Sequence, residues 1–356
     1  MFFDSDNAGP VPDQIIDAIR DANKGYHKAY GDDRYMADVQ GSLREVFEAP
    51  EAAVYLVGTG TAANVLALAT LGEPWQTIFC SPVAHLHEDE CNAPEFFTGG
   101  AKLTLVKCDD KITPDALRAA ITAQENRGVH GPQRGPLSLT QTTEMGTLYS
   151  LDELRALTEI TKSYGLPVHM DGARFANALV SLECSAADMT WKSGIDALSF
   201  GGTKNGLMGV EAVIFFDPKH AWEFELRRKR SAHLFSKTRY LAAQMQGYLK
   251  NDLWLDLARK ANENASYLAQ GLRQMPHVRF AYEPQANMIF IRLSRADHQK
   301  ANQAGAGYSL RNSDLDNGPA DEILTARFVC DWSIEKDQID RFLDIMRGIK
   351  DPVLDP

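Results

Sequence analysis

The chain has 356 residues, 44% of them hydrophobic, with 37 basic against 48 acidic side chains and a net charge of -11. That length supports two or three folding units around a large core, and the acidic balance argues against nucleic acid or an anionic membrane as the main partner. Cys80, Cys91, Cys108, Cys184 and Cys330 are odd in number and lack CxxC spacing, so they read as buried thiols of a reducing compartment, with no disulfide frame and no metal site.

The opening run MFFDSDNAGP has neither the basic nor the apolar region of a signal peptide, and no apolar run reaches the ~18 residues of a membrane helix, so a cytoplasmic location is expected. Pro12-Asp13 opens an amphipathic helix with Ile15, Ile16 and Ile19 on one face, closing near Gly25. A polar turn at 30–35 leads to a second helix with Val39, Leu43, Val46 and Phe47 on its apolar side. Strands are predicted at 53–57, 76–80, 102–107, 137–141, 167–170, 196–200 and 212–216, with helices at 62–71, 114–124 and 151–164 between them. Short apolar runs separated by helices predict a mostly parallel sheet covered on both faces. From Asp217 the rhythm changes. One long helical stretch is predicted from 218 to about 250 and another over 253–274. Strands at 278–282 and 288–293, a Gly/Asn-rich region over 301–318, a strand at 323–330 and a helix from Lys336 complete a smaller α+β domain. The expected division is an arm and helix over 1–30, a large domain over 31–250 and a small one over 251–356. The basic run Arg227-Arg228-Lys229-Arg230 reads as a solvated helix face.

Three segments carry chemistry. Lys204 follows an apolar strand in Ser199-Phe200-Gly201-Gly202-Thr203-Lys204-Asn205-Gly206. Glycine allows close backbone approach, and a partly desolvated lysine amine there is a nucleophile toward an aldehyde. Taken alone, it could equally be a surface lysine in a Gly-rich turn. Asp171 ends the strand-like run Val168-His169-Met170-Asp171, at the sheet edge where open α/β folds bind ligands. Its carboxylate can pair with a protonated pyridine nitrogen, or it can cap a helix beginning at Gly172. Gly58-Thr59-Gly60-Thr61, between a strand and a helix, offers backbone N–H groups, hydroxyls and a positive helix end to a phosphate, without matching a Walker or dinucleotide loop. An amine, a carboxylate and a phosphate cradle together point to pyridoxal 5'-phosphate (PLP).

Ser5-Asp6-Asn7, residues 58–64, His85 with Asp89-Glu90-Cys91, the run His169-Met170-Asp171-Gly172-Ala173-Arg174 and residues 199–206 resemble, in order along nearly the whole chain, the bacterial L-threonine aldolases. That resemblance implies the aspartate-aminotransferase-like fold of PLP-dependent transferases, fold type I. It further implies cleavage of β-hydroxy-α-amino acids to glycine and an aldehyde, usually by a homotetramer. It makes Lys204 the covalent attachment point and Asp171 the partner of the ring nitrogen, with Thr59, Gly60 and Thr61 on the phosphate. His85 would stack on the ring and assist base chemistry, with His130 as a second active-site histidine. Arg174, Arg327 and Ser5 would bind the substrate carboxylate, and Arg230 and Lys237 would reach a phosphate across a subunit interface. The other histidines, His27, His169, His220, His233, His277 and His298, read as structural.

The chain departs from the family pattern in three places. Ser5-Asp6-Asn7 runs directly into Ala8-Gly9-Pro10, His87 and Glu88 stand where Asn and an apolar residue are common, and Cys330-Asp331-Trp332 replaces a Ser/Thr-rich segment. These leave the preferred aldehyde open. Another fold type I activity, β-elimination or transamination, remains the alternative, and a catalytically silent homologue a further one.

Overall fold

The computed structural model describes residues 1–311 and 313–348. The chain forms two compact units: Val11–Glu144 with Tyr149–Leu253, and Met1–Pro10 with Met145–Leu148 and the chain from Trp254 onward.

The larger unit is built on a seven-stranded sheet: β1 (Ala53–Val57), β2 (Gln76–Cys80), β3 (Lys102–Leu105), β4 (Gln133–Thr140), β5 (Val168–Gly172), β6 (Ala197–Phe200) and β7 (Glu211–Phe215). Its order is β1-β7-β6-β5-β4-β2-β3, and only β7 runs antiparallel to its neighbours. The mostly parallel sheet is therefore present, and its central strands are buried along their length because helices cover both faces. Helices α1 (Asp13–Ala22), α2 (Arg34–Val46), α3 (Gly60–Leu71), α4 (His85–Glu88), α5 (Ala93–Thr98), α6 (Pro114–Ala123), α7 (Leu151–Ser163), α8 (Phe175–Leu182), α9 (Ala186–Met189), α10 (Ala221–Arg230) and α11 (Arg239–Leu249) belong to this unit. Val57, Val65, Leu66, Val213, Phe215 and Phe224 form one of its cores.

The smaller unit has α12 (Leu253–Arg273), α13 (Arg295–Gln303), α14 (Lys336–Gly348) and a four-stranded antiparallel sheet. Its strands are β8 (Arg279–Phe280), β9 (Met288–Ser294), β10 (Ser309–Leu310) and β11 (Ile323–Val329). The N-terminal arm is stitched into it. Phe3 N–H donates to Gly307 O at 2.7 Å, and Val329 N–H donates to Phe3 O at 2.8 Å. The Phe3 ring is fully buried beside Phe342 and Phe328, and burying it contributes about 1.5–3 kcal/mol.

Five expectations need correction. The single helix predicted from 218 to 250 is instead a 3₁₀ turn, α10 and α11, broken over 231–238. Ser231 Oγ donates back to Arg227 O, and Ala232 has φ of 64°, which a right-handed helix cannot absorb. The strand predicted at 137–141 starts at Gln133, because Gly135 and Pro136 mask it in sequence; a Cβ on Gly135 would stand 2.5 Å from Thr77 O on β2, so glycine permits the pairing. The Gly/Asn-rich region begins inside α13 and contains β10. The basic run is not wholly solvated: Arg228 is buried, its guanidinium 4.9 Å above the Tyr55 ring. Nor are all the cysteines buried, since Cys91 is exposed and Cys108 and Cys184 are half-buried.

Candidate active site

Lys204 lies in a 3₁₀ turn, Thr203–Asn205, just beyond the carboxyl end of β6. The glycines before it answer to packing. A Cβ on Gly201 would stand 2.2 Å from Ala173 O, and one on Gly202 2.6 Å from Val210 O. Gly206 closes the turn at φ of +106°, outside the reach of most side chains. Gly202 N–H donates to Glu211 Oε2 at 2.6 Å, and Asn205 Nδ2 donates to the Tyr248 hydroxyl at 2.7 Å. Burial pushes the Glu211 carboxyl up, opposed by hydrogen bonds from Thr203 and Gly202 and by the Lys204 charge. The lysine turn is thus clamped by polar groups of the core.

Asp171 sits on β5, one residue before the strand's end, and is buried. It does not cap a helix: α8 begins at Phe175, with Arg174 in the N-cap position. Its Oδ1 accepts from Ala173 N–H at 3.0 Å and its Oδ2 from Asn64 Nδ2 at 2.9 Å. Asn64 also donates to Glu90 Oε1 at 3.0 Å, and that oxygen lies 2.8 Å from His85 Nδ1. A continuous path therefore runs from His85 through Glu90 and Asn64 to Asp171. His85 is the first residue of α4, a short helical turn. The Glu90 hydrogen bond raises its pKa against the opposing effect of burial, helped by Asp171 and Glu144.

Glu144 gathers the rest. Burial pushes its carboxyl up, while Lys204, Arg174 and His85 pull it down and Asp171 adds to the rise. These five side chains share one electrostatic neighbourhood. Gln141 holds the loop's base, donating from Nε2 to Tyr149 O at 2.9 Å and accepting from Tyr149 N–H at 3.0 Å.

At the start of α3, Thr59 is an extended N-cap whose hydroxyl accepts from Ala62 N–H at 3.1 Å. The first N–H groups of a helix, here those of Gly60 and Thr61, have no acceptor within it. No atom lies within 4 Å of where a Gly60 Cβ would stand, so the end is open. Phe235, in the turn between α10 and α11, comes within 3.3 Å of the Cβ position of Gly58. Arg230 ends α10 and Lys237 lies in the same turn, both exposed. His130 is exposed at the end of a 3₁₀ segment (Glu125–His130). Ser5 and Arg327 belong to the smaller unit. Ser5 Oγ accepts from Asn7 N–H at 3.1 Å, and Arg327 Nη2 donates to Asp4 O at 3.2 Å.

The family model described as beta-eliminating lyase matches residues 3–295. The chain belongs to the beta-eliminating lyase family. Among its relatives, a low specificity L-threonine aldolase of Pseudomonas aeruginosa is 39% identical over 98% of this chain and 96% of that one. One from Pseudomonas sp. is 37% identical over 98% and 97%. A solved threonine aldolase of Leishmania major superposes with a TM-score of 0.89 at 26% identity, covering 97% of this chain and 98% of the other. A serine palmitoyltransferase from Sphingomonas wittichii, at 15% identity and TM-score 0.70 over 98% and 86%, shares the fold. These neighbours agree with the aspartate-aminotransferase-like architecture expected from sequence.

Three residues of this family member escaped the sequence reading as individuals. Asn64 had a visible signal, being an amide in the largely apolar, buried stretch of α3. Glu144 follows the carboxyl end of β4, where a ligand crevice is expected. Glu90 was noted only as part of a matching segment. PLP fits the residues present: an open helix end for an anion, a buried carboxylate for a protonated ring nitrogen, and a lysine at the neighbouring strand end.

Proposed function

We propose that the chain is a PLP-dependent carbon–carbon lyase that cleaves L-threonine, L-allo-threonine and related β-hydroxy-α-amino acids, such as phenylserine, to glycine and an aldehyde. The observation that carries this reading is the grouping of Lys204, Asp171, His85 and Arg174 around Glu144, in a chain matching threonine aldolases along nearly its full length. When bound, PLP supplies an electron sink for the pair released by the breaking Cα–Cβ bond. Lys204 holds it covalently, and Asp171 keeps the ring nitrogen protonated. Thr59, Gly60 and Thr61 hold its phosphate, with Arg230 and Lys237 of a second subunit as further phosphate ligands.

Arg174, Arg327 and Ser5 bind the substrate carboxylate. A guanidinium grips a carboxylate with two parallel N–H bonds and so fixes which bond at Cα is aligned for cleavage. His85, assisted by His130, takes the proton from the β-hydroxyl oxygen as that oxygen becomes the aldehyde carbonyl. The exposed Trp222 and Leu226, one turn apart on α10, support self-association, and the assembly proposed is a cytoplasmic homotetramer.

Incubation of purified, PLP-loaded protein with L-threonine, L-allo-threonine and L-phenylserine should release glycine and aldehyde in equal amounts. The family description favours β-elimination as a second reading, and that would instead expel the β-substituent of an amino acid and yield, after hydrolysis, ammonia and a keto acid. Release of ammonia with keto acid and no aldehyde would decide for it, whereas keto acid without ammonia would point to transamination.

The role of Arg174 has its own test. Removing one member of a desolvated charge pair costs at least about 2 kcal/mol, roughly thirtyfold, so Arg174→Ala should lower kcat/KM on L-threonine by that factor or more. Arg174→Lys should not rescue, because an ammonium lacks the planar two-pronged donor. Retention of kcat/KM within about threefold, below ~1 kcal/mol, would make Arg174 structural.

A further inference from the structure

We infer that Glu90 is a positioning residue that fixes the tautomer and orientation of the His85 imidazole, and that Asn64 ties this pair to Asp171. The inference rests on the proposed base role of His85 and goes one step deeper into the same site.

The geometry allows little else. The Glu90 side chain is fully buried, and its Oε1 accepts two hydrogen bonds, from His85 at 2.8 Å and from Asn64 at 3.0 Å. Its Oε2 is buried and, among the described residues, has no hydrogen-bond partner. A carboxylate that cannot spread its charge over other donors leans on the imidazole. An ionised carboxylate only accepts, so His85 must carry its proton on Nδ1. Nε2 is then the position that gains and loses a proton, as a base requires. The Asn64 amide cannot be turned round, because its carbonyl oxygen would then face both Glu90 and Asp171. Both of its N–H groups are therefore committed, one to each carboxylate.

The groups that act most on His85 are Glu90, Asp171 and Glu144, all acidic and all favouring the imidazolium, while the cations Lys204 and Arg174 share the neighbourhood through Glu144. Glu90 alone among them hydrogen-bonds the ring, and its effect is the largest. Asn64 bridges Glu90 and Asp171 with an amide where a direct carboxylate pair would repel. This arrangement separates two tasks: Asp171 is held by Asn64 and Ala173 while His85 keeps Nε2 free of the Glu90 contact.

The test follows His85 directly by NMR, on ¹³C/¹⁵N-histidine-labelled holoenzyme, with its signals assigned by their loss in His85→Asn. In wild type the neutral ring should be the Nδ1–H tautomer, titrating above the ordinary histidine value. In Glu90→Gln the midpoint should fall by about one to two pH units, since the nearest opposite charge is gone, and the tautomers should mix. The acid limb of the kcat profile should move down by the same amount, with KM for L-threonine nearly unchanged. Glu90→Asp keeps the charge at a longer reach and should restore part of the shift, which also covers a poorly folded glutamine variant. An unmoved midpoint with an unchanged tautomer in both variants would overturn the inference. Full activity of His85→Asn would instead remove the base role, while the NMR shift would still stand, so the two failures are distinguishable.

Discussion

Lys204→Ala is expected to end covalent retention of PLP and to lower kcat by about three orders of magnitude or more. In the proposed reaction this side chain would hold the cofactor and exchange a proton with substrate, and a positioned proton-transfer group alone contributes roughly 10²–10⁴-fold. The fold should survive, because the turn is held by Gly202 N–H on Glu211 and by Asn205 on Tyr248, bonds that do not involve the lysine side chain. Removing the ammonium has an electrostatic consequence as well. Glu144 and Glu211 are both raised by burial and opposed by Lys204, so both should bind protons more readily in the variant. A small primary amine added at high concentration should recover part of the rate by replacing the missing group. Borohydride reduction of the wild-type holoenzyme and peptide mapping should place the adduct on Lys204. An adduct on another lysine, or a variant within tenfold of wild-type kcat, would remove Lys204 from the chemistry.

The parts of this molecule that sequence exposes are those governed by local pattern. β1 and β2 fall at 53–57 and 76–80 as their apolar runs demand, and Thr59 caps α3 at the turn expected there. The placement of Asp171 and Lys204 at strand ends, where open sheets put ligand groups, was legible in the apolar runs that precede them. What was hidden depends on contacts distant in the chain. Asn64 and Asp171 are 107 residues apart, and no spacing rule joins them. Glu90 in isolation is one acid in an acidic run, and only burial against His85 gives it meaning. The glycines of the lysine turn do allow close approach, but at Gly201 and Gly202 what approaches is the protein's own backbone, and Gly206 takes a positive φ. The break after α10 was obscured because Ser231 and Ala232 are ordinary helix residues until a positive φ appears.

Substitution of Asp171 should separate charge from packing. The carboxylate is buried and accepts from Ala173 N–H and Asn64 Nδ2, so alanine strands two buried donors. Each unsatisfied donor costs about 1–3 kcal/mol, and a lower Tm is expected in Asp171→Ala. Asparagine offers one oxygen in place of two. Either Ala173 or Asn64 then loses its acceptor, and the new amide N–H₂ faces a donor, so Asp171→Asn should also be less stable than wild type. On activity the charge dominates. Loss of one partner of a buried pair costs about 3–5 kcal/mol, equivalent to roughly two to almost four orders of magnitude in rate. Asp171→Ala and Asp171→Asn should therefore be similarly slow on L-threonine despite their different shapes. Asp171→Glu keeps the charge but adds a methylene to a closed site, a strain of about 1–3 kcal/mol, and should fall between them and wild type. The order expected for kcat is Asp171, then Glu, then Asn and Ala together, measured with cofactor occupancy and Tm on the same preparations. If Asp171→Asn cleaved at near wild-type rate, shape and not charge would be what the position supplies. If Asp171→Ala did so, the ring nitrogen would have to find its partner elsewhere.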